Sequence, residues 1–268
     1  MAEILDAADL KVAHASIFDP ARMLAFLRGK ASDVTYKLKS AVSKVFGLYD
    51  AAENLIHIDP SVPLARQTFL KLHEAGHHEL PAHKRTFRFF QDCEQTLAPE
   101  IADLFEREAN NFARFVLFQG QRYAECAADS PMALKTPMGL AKQFGSSIYA
   151  SCREYARTHH KACVVYVLER ISFAEGHGAE AAVRRVEPSP SYINQFGQPA
   201  DTVITLDHPL GKILPIGRRM TKPTPVVITD LNGDLHECLA EAFDTTWNVL
   251  LLVYPVRSLA SSTVILNP

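Results

Sequence analysis

One pentapeptide of this 268-residue chain holds the residue types that bind a metal ion and move a proton: His73-Glu74-Ala75-Gly76-His77. On a helix, residues four apart stand one above the other, so His73 and His77 aim two imidazoles at a single ion. Glu74, one position on, reaches a water in the open position of that ion. Imidazole plus carboxylate suits zinc, and three protein ligands with a water form the arrangement used for hydrolysis. Glu74 then serves as general base while the ion activates the attacked carbonyl. Phe69, Leu70, Leu72 and Leu80 surround the motif. They predict a helix over 64–80 buried on much of its circumference, where unpaired histidine and glutamate are costly.

A third ligand is sought by spacing. A second helix is predicted from Pro99 to Phe118, with proline near its start, where a missing N–H costs nothing. Ile101, Leu104, Phe105, Phe112 and Phe115 form a stripe on it that includes Glu108, whereas Glu106 neighbours Ala102, Asp103, Ala109 and Asn110 and reads as solvated. A carboxylate amid an apolar stripe needs a cation. Glu108 is therefore the candidate third ligand, with an arginine ion pair as its competing role.

The elements that must position these residues read as α+β. A helical stretch from Pro20 to Val45 precedes a hairpin of Val45–Tyr49 and Leu55–Ile58 around a turn at Asp50–Asn54. An aromatic loop (Phe87, Phe89, Phe90) separates the two ligand helices. Residues 137–160 read as a helical pair split at Gly145-Ser146-Ser147, and Val164–Leu168 as a short buried strand. Beyond about residue 186 proline becomes frequent and strand signals follow: Thr202–Leu206, Pro225–Thr229, Leu235–Leu239 and Trp247–Tyr254, with a turn at Asn232-Gly233. The expected division is 1–185 and a β-rich 186–268, with Trp247 structural.

The run LIHIDPSVPLARQTFLKLHEAGHHEL followed by EREANNFARFVLF resembles the ImmA/IrrE family of metallopeptidases. The family's HE-x-GH is matched by His73, Glu74, Gly76 and His77, and its E-A-N-x-F-A by Glu108, Ala109, Asn110, Phe112 and Ala113. The resemblance covers roughly residues 20–170. It departs where the family often has Leu-Leu-Met-Pro and this chain has Val116-Leu117-Phe118-Gln119. It implies a small sheet beside the zinc helices, Glu108 as third zinc ligand, and cleavage of a helix-turn-helix repressor of the XRE type. Longer members add a helical module and a GAF-like sensor domain. A peptidase-like scaffold that binds a repressor or DNA without cutting it is the competing function, and Glu74 argues for the enzyme.

Composition bounds these readings. With 28 basic and 30 acidic residues and a net charge of −2, a polyanion is not the expected main partner. The helical pair has the look of a helix-turn-helix with Lys135, Lys142, Arg153, Arg157 and Lys161 around it, a basic density too modest for direct DNA binding to be expected. His159-His160 reads as a polar helix end. Cys93, Cys126, Cys152, Cys163 and Cys238 show neither disulfide nor ribbon spacing and read as buried thiols. The apolar runs are strand-sized, so no membrane partner and a cytoplasmic location are expected. For stabilising a tetrahedral intermediate, nothing selects among His78, His83, Lys84, Arg85 and Tyr123.

Overall fold

The computed structural model describes residues 2–13, 47–50, 53–91, 99–174 and 178–256. The helix expected over 20–45 and Cys93 lie outside these residues. Two compact units divide the chain: residues 1–120 with 144–146, and residues 121–143 with 147–268.

In the first unit, α1 (Ala2–Ala7) precedes a three-stranded sheet of β1 (Lys11–Val12), β2 (Gly47–Asp50) and β3 (Leu55–Ile58). The order is β1-β3-β2, with β1 parallel and β2 antiparallel to β3. The expected hairpin is therefore present, and β3 is its inner strand. Ile56 and Ile58 pack with Leu5, Leu10 and Ala75. Ala75 belongs to α2 (Leu64–Glu79), which lies on this sheet and in which every residue from Leu72 to His78 is buried.

The chain turns at Leu80, whose N–H bonds the Gly76 carbonyl, and proline at the next position starts α3 (Pro81–Gln91). Phe87, Phe89 and Phe90 thus sit on a helix rather than in a loop, because Pro81 is compatible with a first helical turn. The second ligand helix is α4 (Pro99–Leu117). It packs closely on α2: a Cβ on Gly76 would stand 3.1 Å from the Phe112 ring and 3.3 Å from the Ala109 Cα. Small residues therefore set the approach of these two helices.

The second unit opens with α5 (Arg122–Ala128), α6 (Lys135–Phe144) and α7 (Ile148–Thr158). The Ser147 side chain caps α7 by accepting the Ala150 N–H at 3.1 Å. A seven-stranded antiparallel sheet follows: β4 (Val164–Leu168), β5 (Ser172–Ala174), β6 (Gly178–Pro188), β7 (Val203–Thr205), β8 (Thr224–Thr229), β9 (Leu235–Asp244) and β10 (Val249–Pro255). Its order is β5-β6-β4-β10-β9-β8, with β7 beside β6. Every residue of the inner strands β4 and β10 is buried. Burial on both faces explains their unbroken apolar runs. Val164, Tyr166, Leu251 and Val253 pack with Tyr192 of α8 (Pro190–Phe196) and with Leu210, Ile213 and Leu214.

The expected helical pair is present, and α7 lies against β4 and β6. Arg153 donates to Glu187 of β6 at 2.9 Å and Arg157 to both Glu187 oxygens at 3.0 Å. These arginines hold the helix to the sheet. The boundary expected near 186 falls within β6, whose residues 183–188 pair with β4. The Pro-Ser-Pro run there is a strand end and a helix cap: Ser189 accepts the Tyr192 N–H at 3.1 Å. Trp247 sits in the β9–β10 turn and is 79% exposed, so it packs into no core. Cys152, Cys163 and Cys238 are buried free thiols and Cys126 is half-buried and free. No helix among the described residues is long and apolar enough to cross a membrane.

Candidate metal centre

The helical register of α2 does what the spacing predicts. His73 Nε2 and His77 Nε2 stand 3.2 Å apart, both on buried side chains. The carboxylate that joins them is Glu106, with Oε2 3.3 Å from His73 Nε2 and Oε1 3.5 Å from His77 Nε2. Among the described residues, His73, His77 and Glu106 are the group whose ligand atoms lie close enough together to hold a metal ion. Donors around a tetrahedral zinc at about 2.0–2.1 Å lie about 3.3 Å from one another. The imidazole nitrogens are 3.2 Å apart, and each lies 3.3–3.5 Å from one of the two Glu106 oxygens, all close to that spacing. A proton bridges one pair of these atoms at a time, whereas a cation is shared by both imidazoles and the carboxylate. The donor set therefore fits zinc.

Glu108 is not brought to this pair. Its Oε2 lies 2.8 Å from His83 Nε2. Of the stripe on which the expectation rested, Ile101, Leu104 and Phe115 are exposed, while Phe105 is buried and Phe112 is half-buried against Gly76. The buried face of α4 is instead Phe105, Ala109, Ala113 and Leu117. Glu106 precedes Ala109 by three residues and Ala113 by seven, which sets it on the face that meets Gly76. The signal overlooked in the sequence is this run of small residues, which marks where two helices approach most closely.

Glu74 is buried behind the pair. Burial raises its pKa above the ordinary carboxylate value, while His73, His77 and a hydrogen bond from the Tyr49 backbone N–H pull the other way. Strand β2 holds it in place: a Cβ on Gly47 would stand 2.9 Å from Glu74 Oε1. Burial works to lower the His73 pKa, but the hydrogen bond to Glu106 and the charges of Glu74 and Glu106 leave it raised. Hydrogen bonds from His73 and His77 hold the Glu106 carboxyl far below its usual range.

The remaining candidates separate by position. His83 is fully buried, stacked on Phe105 with ring centroids 3.9 Å apart, and its Nδ1 is 3.1 Å from His77 Nδ1. Burial favours its neutral form. His78 faces away from the pair, with Nδ1 2.6 Å from the Tyr49 hydroxyl and Nε2 3.3 Å from Lys84 Nζ. Arg85 is exposed. Tyr123 is buried in the second unit, where its hydroxyl donates to the Ser151 carbonyl at 2.7 Å. His159 is buried at the end of α7 and its Nδ1 accepts the Lys161 N–H at 3.0 Å.

Residues 32–154 match the family model of the IrrE N-terminal-like domain, Peptidase M78. Among solved structures, a Mycobacterium tuberculosis transcriptional regulator is similar, at 12% identity and a TM-score of 0.43, over 78% of this chain. The match covers 62% of that regulator's length. Comparison with curated proteins gives no match.

Proposed function

Since the chain belongs to the ImmA/IrrE family through its residues 32–154, we propose that it is a zinc-dependent endopeptidase that cleaves a helix-turn-helix repressor of the XRE type and so releases the genes it silences. The observation that carries this reading is the gathering of the His73 and His77 imidazoles with the Glu106 carboxylate, beside the buried Glu74. These three residues would hold the ion. Zinc bound there supplies a Lewis acid that acidifies water and polarises a peptide carbonyl.

The chain's own residues do the rest. Glu74 takes the proton of the attacking water and passes it to the leaving amine. Its burial keeps the carboxyl easier to protonate than an exposed one, which suits a group that must both take and give a proton. The Tyr49 N–H and the side-chain-free Gly47 keep that carboxylate in one position. Strand β3 offers no open edge for an extended substrate to pair with, because it is bonded to β1 and β2 on its two sides.

The test is co-expression with the helix-turn-helix repressor encoded nearest this gene, following the repressor's intact mass. A single cut with wild type, absent with Glu74→Gln and after chelation, is expected. A repressor that stays whole but co-purifies with both forms would replace the protease by a non-cleaving binding module. Neither cutting nor binding would remove the repressor as partner.

A further inference from the structure

We propose that His83 and Glu108 form an outer relay that orients His77 for metal binding, making them positioning residues of the centre. This rests on the reading that His73, His77 and Glu106 hold an ion. His77 turns Nε2 toward His73 and Glu106, so on binding through that nitrogen its proton resides on Nδ1. That N–H needs an acceptor, and His83 Nδ1 lies 3.1 Å away. For His83 Nδ1 to accept, the proton of its neutral ring must sit on Nε2, and there it meets Glu108 Oε2 at 2.8 Å. These two hydrogen bonds then point one way: His77 donates to His83, and His83 donates to Glu108.

The usual support for a ligand histidine is a carboxylate or carbonyl directly on its second nitrogen. Here an extra imidazole is interposed, and the packing explains it. Glu108 sits one residue off the face of α4 that meets α2, and its carboxylate is at His83. His83, on α3, bridges the gap with its ring laid flat on Phe105 at an interplanar angle of 17°. The relay thereby ties the metal centre to a third helix. Aromatic stacking on Phe105 accounts for a flat ring at position 83 but not for one that carries two nitrogens at hydrogen-bond distance from two partners.

Zinc and cobalt(II) affinities of the full chain, with the visible cobalt spectrum, test this. His83→Phe keeps a ring on Phe105 and removes the relay; Glu108→Gln removes its charged end. Each is expected to weaken zinc binding by about 10–100-fold and to alter the cobalt bands. His83→Gln, which offers an acceptor to His77 and a donor to Glu108, is expected to recover most of the affinity. If His83→Phe does not fold, Glu108→Gln on the half-exposed carboxylate decides alone. Wild-type affinity and spectrum in the relay variants would overturn the relay while leaving the centre intact. A wild type that binds neither ion would overturn the centre and the relay together.

Discussion

At the scale of single residues, two carboxylates two positions apart have different work. Glu106 has 59% of its side chain exposed, yet its oxygens lie within 3.5 Å of both imidazoles. Glu108 is less exposed and turned to His83. Exposure alone therefore misleads about which carboxylate joins the histidines. Glu106→Gln is expected to lower zinc affinity by more than the about 10–100-fold that an outer partner contributes, and by more than Glu108→Gln does. Parallel titrations with a chromophoric chelator check the order, and the reverse ranking would return the third-ligand role to Glu108.

At the scale of elements, the centre is a product of close approaches between helices and a strand. Gly76 lets α4 come near enough for Glu106 to reach the pair, and Gly47 lets β2 press on Glu74. The Gly47 contact is the sharper one, since a Cβ at 2.9 Å from Glu74 Oε1 forces the carboxylate to move. Gly47→Ala is expected to cut kcat by about 10–100-fold, within the range that a general base contributes, while zinc affinity changes little. Kinetics on the proposed repressor substrate beside a zinc titration separate the two effects. An unchanged kcat would mean that the Glu74 position is not critical.

At the scale of the whole molecule, the second unit holds a pH-sensitive point far in sequence from the centre. His159 is 4% exposed, and burial, with the neighbouring His160 and Lys161, lowers its pKa from 6.5 to about 4. A histidine depressed in this way takes its proton more readily when unfolded. Its stabilising effect is complete above pH 6.5 and is lost as pH falls from there toward 4, amounting to about 2 kcal/mol by pH 5. Urea unfolding of wild type and His159→Gln at pH 7.5 and 5 should show the wild type losing more stability by that amount. Equal losses would place the sensitivity on other groups.

The sequence by itself determined what repeats along one chain segment. The HExxH register, the buried runs of β4 and β10, the hairpin at residues 47–58 and the helical pair ending at Thr158 follow from local periodicity and turn chemistry. Those features depend on neighbours within a few residues, and the side chains announce them. The tertiary structure decided which face of α4 meets α2, and hence that Glu106 rather than Glu108 joins the histidines. It also decided that β3 is an inner strand, that α3 brings His83 into contact with His77, and that β6 runs across residue 186. A stripe of Ile101, Leu104 and Phe115 carries a strong apolar signal, but small residues such as Gly76 and Ala109 select the contact. Close helix packing requires little volume, and little volume leaves little trace in hydrophobic periodicity.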